Sequence, residues 1–154
     1  GIFDKLTNLK LLSLSCNNLN VDRTYNVSSF PDGVFDKLTS LEHLDMVLNP
    51  LHELPPGWFD SLTKLKTLIM WIDQLQSLPP GIFDNLTNLE RIMLAEEYFT
   101  TLPAGLFDHC TKLEAVDMVE GHLQSLPDGI FDKLTNVKEV AISGHLGIES
   151  IMRP

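Results

Sequence analysis

The side chains able to do chemistry here are five histidines, two cysteines and 21 acidic residues, and their spacing decides what they can do together. A Ser or Cys nucleophile needs a histidine base and a third group to orient that base. None of His43, His52, His109, His122 and His145 recurs in step with such partners, so no catalytic residue is assigned and the chain is read as a non-enzyme. Glu96, Glu97, Asp117 and Glu120 are acidic and close in register, but they lack the glycine-turn and backbone-ligand spacing of a calcium loop, so no metal or cofactor site is assigned. Cys16 and Cys110 are too far apart in register for their α-carbons to come within the roughly 7 Å that a disulfide spans, and both are read as free thiols. Cys110 takes a column held elsewhere by Leu6, Leu38, Leu62, Leu86 and Leu134, the place of a small buried hydrophobe.

The elements that must position these residues follow a 24-residue register. Its strand half, LxxLxLxxNxL, recurs from Leu41, Leu65, Leu89, Leu113 and Val137, and each copy but the last is followed by LPxGxFDxLTxL. This is the pattern of leucine-rich repeats, in which a short strand lines one wall and a turn segment the other, and no repeat buries its apolar side without its neighbours. The expected fold is a leucine-rich repeat solenoid of the α/β horseshoe class, with short parallel strands on the concave face and turns and 3₁₀ segments on the convex face. The whole of 1–154 is read as one domain of about six repeats, interrupted by an insertion within 20–29 that contains Arg23 and Tyr25. Insertions in solenoids leave as loops.

Column by column, scaffold separates from freedom. Phe3, Phe35, Phe59, Phe83, Phe107 and Phe131 form an outer-wall spine, each followed by an Asp whose side chain is expected to cap local N–H groups. Trp58 occupies the apolar column just before that spine. Gly33, Gly57, Gly81, Gly105 and Gly129 supply turns. The Asn column keeps Asn17 and Asn49 but then holds Asp73, Glu97, Gly121 and His145, which predicts looser later repeats. Asn26-Val27-Ser28 and Asn85-Leu86-Thr87 are glycosylation sequons, the second created where a variable column meets the framework Leu-Thr.

Segments such as LQSLPPGIFDNLTNLERIML (Leu75 to Leu94) and LQSLPDGIFDKLTNVKEV (Leu123 to Val140) resemble the variable repeat modules of the variable lymphocyte receptors, and Toll-like receptors share the looser pattern. The resemblance implies recognition of an antigen, protein or glycan, by the concave face, outside the cell and without catalysis. The disulfide-bonded caps of that family are not among these residues: the chain opens at Gly1-Ile2-Phe3-Asp4 and closes at Pro154. It is therefore read as a fragment or as an engineered or generated array. Apolar residues near its ends, Ile2, Phe3, Val140, Ile142 and Ile151, then invite self-association.

Alternation along the strands points Leu44, Met46, Leu68, Met70, Ile92, Leu94, Val116 and Met118 inward and presents their neighbours. From that presented set the candidate partner-binding surface is His43, Asp45, Val47, Leu48, Ile69, Trp71, Ile72, Arg91, Met93, Ala95, Asp117 and Val119, with Trp71, Ile69 and Met93 at an apolar centre inside a charged rim. The alternative is a self-assembling structural array with no external ligand. A net charge of −10 argues against nucleic acid, which needs clustered Lys and Arg. No run of 18 apolar residues is present to span a membrane.

Overall fold

The computed structural model describes residues 1–17, 33–49, 51, 53–71, 75–95, 98–119 and 121–144. The insertion at 20–29, with Arg23, Tyr25 and the Asn26 sequon, lies outside them, as do Ile72, Asp73, Glu96, Glu97, Glu120, His52, His145 and Ile151.

Six short strands, β1 (Leu11–Ser13), β2 (His43–Asp45), β3 (Thr67–Trp71), β4 (Arg91–Ala95), β5 (Ala115–Val119) and β6 (Glu139–Ser143), form one sheet in chain order. Every neighbouring pair is parallel. The sheet is the inner wall of a leucine-rich repeat solenoid. Each strand is short because one period must supply a strand, a bend and an outer-wall return, and parallel pairing follows because every repeat runs the same circuit.

The outer wall consists of successive turns, each closed by an i→i+3 bond. In one repeat Asp36 N donates to Gly33 O at 3.0 Å, Leu38 N to Phe35 O at 2.9 Å and Leu41 N to Leu38 O at 3.0 Å, the bonding of a 3₁₀ helix taken one turn at a time. Glycine opens this return for two reasons, both visible at Gly33. Its φ is +70°, and a methyl group placed on it would lie 2.5 Å from Asp36 Oδ2. The framework Asp thus lies close against the glycine three residues earlier.

Between the walls lies the core. Leu44, Met46, Leu68, Met70, Ile92, Leu94, Val116 and Met118 are all buried, as alternation requires. Phe35, Phe59, Phe83 and Phe107 are fully buried and stack with Phe131 at centroid spacings of 6.2 to 6.4 Å. Burying one such side chain contributes roughly 1.5 to 3 kcal/mol relative to leaving it exposed. Trp58, 4% exposed, tilts against Phe35 at 4.9 Å and Phe59 at 5.5 Å, which makes it an outer-wall core residue. Cys110 is fully buried in its leucine column, its Sγ 3.5 Å from Phe83 O, and both cysteines are free thiols.

Asn49 performs the framework role expected of its column. Its buried amide donates to Leu14 O at 2.8 Å and to Met46 O at 3.3 Å, which joins two repeats. The ladder does not shorten where that Asn is replaced: β1 and β2 have three residues, whereas β3 to β6 have five. Strand pairing follows the apolar alternation, which the later repeats keep. At the fifth position of the same column Gly121 is itself buried, and the backbone restores a link between repeats through Gln124 N to Thr100 O at 2.9 Å.

Candidate functional site

The sheet converts sequence columns into rows across the concave wall. Paired residues lie about 4.8 Å apart from strand to strand. The first row reads Leu11, His43, Thr67, Arg91, Ala115, Glu139, and the second Ser13, Asp45, Ile69, Met93, Asp117, Ala141. The third includes Trp71, Ala95, Val119 and Ser143. Past the end of β2 the ladder continues, Met46 N to Ile69 O at 2.9 Å and Leu48 N to Trp71 O at 3.0 Å, so Val47 comes alongside Trp71.

Ile69 and Met93 are therefore side by side, bracketed by Asp45 and Asp117, with Trp71 one row away. The two carboxylates are three strand steps apart, about 14 Å. Met93 is 37% exposed and Ile69 and Trp71 are half-buried. The charged candidates differ in freedom. Asp45 is engaged within the fold, accepting from Val47 N at 3.1 Å and from Ser13 Oγ at 3.3 Å. Asp117 is half-buried, and His43 and Arg91 are exposed.

Ala95 is corrected. Alternation places it on the presented face, but it is 3% exposed, and Ala115 is 4% exposed for the same reason. The register sets Ala95 between Trp71 and Val119 and Ala115 between Arg91 and Glu139, and a methyl between two longer side chains is covered by them. Ala95 acts as the floor beside Trp71 and is not a contact. Ile72, also expected at this surface, lies outside the described residues.

Leu48 adds a feature that pattern reading did not supply. It takes a left-handed backbone, φ 55°, as do Cys16 at φ 58° and Gly144 at φ 78° in the same column. That column precedes the framework Asn and turns the chain out of the strand. For Leu the conformation costs about 1 to 2 kcal/mol, yet its side chain is 41% exposed and so recovers little by burial. An exposed apolar side chain on a strained backbone, beside Trp71, enlarges the apolar centre.

A second missed element is the column just before each strand: Lys10, Glu42, Lys66, Glu90, Glu114 and Lys138. Glu42 bridges Lys66 at 2.9 Å and Lys10 at 3.0 Å, and Lys138 meets Glu114 at 3.0 Å. Hydrogen bonds from Lys66 and then Lys10 hold the Glu42 carboxyl down at about 2, and the reciprocal bond raises Lys66. Complementary charges one period apart were the available signal. On the outer wall, Asn88 donates to Thr63 O at 2.8 Å and accepts from Lys112 at 2.7 Å, while Asn136 donates to Thr111 O at 2.9 Å.

Burial, and secondarily the Asp84 charge, pushes the Cys110 thiol up to about 12, so it remains protonated and inert at neutral pH. Among the described residues no group of His, Cys, Asp and Glu is arranged to hold a metal, and no helix is long and apolar enough to cross a membrane. What the inner wall offers is contact area with an apolar centre.

The leucine-rich repeat family matches residues 18–71 and 63–123, more than half of the chain, and the chain belongs to that family. Such domains are commonly protein-interaction modules. No curated protein sequence matches significantly. Three solved structures show the same fold. The LRIM1/APL1C complex is 20% identical over 94% of this chain and 25% of that chain, with a TM-score of 0.80. The leucine-rich repeat domain of APL1B is 20% identical over 94% of this chain and 41% of that one, with a TM-score of 0.74. The Drosophila Toll–Spätzle complex is 27% identical over 90% of this chain and 17% of that chain, with a TM-score of 0.70. This chain thus spans a quarter to two-fifths of the first two.

Proposed function

We propose that this chain is a non-catalytic recognition module that binds a protein partner on its concave face, outside the cell, in the manner its resemblance to variable lymphocyte receptors implies. The observation that carries the reading is the row Asp45, Ile69, Met93, Asp117 with Trp71 and Leu48 beside it. Apolar side chains stand half-open there on a wall whose reverse side already fills the core. An aromatic anchor inside a polar rim is the usual anatomy of a protein interface. A glycan ligand would use the same wall, but its rings favour more hydrogen-bonding groups than this apolar centre provides.

The test is comparative capture. Immobilised chain is exposed to a mixture of secreted proteins beside Trp71→Ala, Met93→Ser and an outer-wall control, Lys37→Ser. A protein retained by the parent and the control but lost from both concave variants is the expected result. Equal retention by all four removes the concave assignment.

Self-association is the second reading, supported by the exposure of Ile2 (80%), Leu11 (62%) and Val140 (42%) beside the first and last described strands. Light scattering across a concentration series tests it. A constant monomer mass at high micromolar concentration excludes this reading and leaves the first untouched.

A further inference from the structure

We infer that Asn85 is an acceptor for N-linked glycan, and that its column is a general acceptor position of this scaffold.

The motif alone, Asn85-Leu86-Thr87, is short and arises easily by chance. The structure supplies what the motif lacks. Asn85 and Thr87 are both exposed, whereas Leu86 between them is fully buried. The tripeptide therefore straddles the surface: its two polar members face solvent on one turn and its apolar member is locked into the core. That turn is closed by Leu86 N to Phe83 O at 2.9 Å and anchored by Phe83 between two stacked rings. A large hydrophilic group on Asn85 displaces nothing from the interior.

Neighbouring columns sharpen the point. Asn88, three residues on, is engaged between Thr63 O and Lys112, so it serves the scaffold. Asn85 takes no part in those bonds. Its column holds Lys5, Lys37, Ser61, His109 and Lys133 in the other repeats, side chains compatible with a solvated position. Lys37, His109 and Lys133 are exposed. The next two residues of every repeat are already framework, Leu38-Thr39, Leu62-Thr63, Cys110-Thr111 and Leu134-Thr135 among them. One substitution per repeat is then enough to complete a sequon on the same turn. The reverse wall, with Trp71 and Met93, stays uncovered, so a glycan here is compatible with binding on the concave side.

The chemistry is a glycosyl transfer. Asn85 Nδ2 forms a bond to the anomeric carbon of an oligosaccharide carried on a lipid pyrophosphate. The bond from that carbon to the pyrophosphate oxygen breaks, its electron pair leaves with the lipid pyrophosphate, and the amide proton passes to a base of the transferase. Donor and transferase belong to the secretory route, so physiological use depends on the extracellular placement proposed above. The acceptor property is tested separately by directing the chain along that route with a cleavable signal.

The chain is secreted from cultured cells in an Asn26→Gln background, which removes the other sequon. Its mass is compared before and after treatment with an amidase that releases N-glycans and converts the acceptor Asn to Asp. The expected result is one glycan mapped to Asn85, lost in Asn85→Gln and in Thr87→Ala, kept in Thr87→Ser, and a second glycan gained in Lys37→Asn. The melting temperatures of the one-glycan and glycan-free forms should agree within about 2 °C. Secreted, folded protein with Asn85 unmodified overturns the assignment. A Lys37→Asn variant that is secreted without a second glycan overturns the general role of the column.

Discussion

The two walls of the solenoid obey opposite rules. On the outer wall the framework positions repeat every 24 residues, phenylalanine stacked on phenylalanine and an aspartate beside a glycine in each copy. The rings find their partners in adjacent copies of themselves, and each aspartate finds its glycine within its own repeat. On the inner wall the rows change identity at every step, Asp45 to Ile69 to Met93 to Asp117, and their neighbours along the row complete no repeating bond. Regularity marks residues that satisfy one another, and irregularity marks residues left available to something else.

The sharpest way to break this contrast is at the spine. Phe83→Ala opens a hole between two stacked rings and is expected to cost about 3 to 5 kcal/mol of unfolding free energy, read by denaturant titration. Parent-like stability would mean that the Phe column does not hold the repeats together.

Comparing the two tryptophans tests both walls at once. Trp71→Ala should weaken partner binding by about 2 kcal/mol or more, and its effect on stability should be small because the side chain is only half-buried. Trp58→Ala should lower the melting temperature strongly and change binding only through lost folded protein. Calorimetry of both variants alongside the capture assay separates these outcomes, and a reversed pattern would exchange the roles of the walls.

Leu48 allows a finer measurement. Asn tolerates a left-handed backbone better than Leu, so Leu48→Asn should stabilise the chain by about 1 kcal/mol while weakening concave binding. A gain in stability with unchanged binding would reduce Leu48 to a strained turn residue with no part in recognition.

The smallest effect concerns the ion-pair column. Glu42 has its folded pKa lowered to about 2 from an ordinary 4.5. Its contribution is therefore fully present above about pH 4.5 and is lost as pH falls toward 2. Lys66 is raised, so its contribution is present below its ordinary value of 10.5 and is lost at more alkaline pH. Solvent reaches these groups and screens them. Glu42→Gln should accordingly flatten the acid limb of a melting-temperature profile slightly, and added salt should erase the difference.

Most of the fold was legible because the period is written twice, once in leucines and once in the Phe-Asp pair, and each column has a single physical solution. Burial of Phe83 and Cys110 and the inward set from Leu44 to Met118 follow from that periodicity. The site was legible in part. Alternation placed Trp71 and Met93 on the presented face but also Ala95, because a one-dimensional rule carries no information about the size of cross-strand neighbours. Leu48 was expected at the apolar centre, but not its left-handed backbone, which it shares with Cys16 and Gly144 of the same column and which conflicts with the residue type. Alternation passed over Lys10, Glu42 and Lys66, whose charges acquire meaning only once the register sets them side by side.

Spatial order equals chain order from β1 to β6. Each strand pairs only with its immediate neighbours along the chain, so no pairing in the sheet waits for a distant segment to arrive. A chain of this kind can add one layer per period in the direction in which it is synthesised, each new layer covering the open side of the one before.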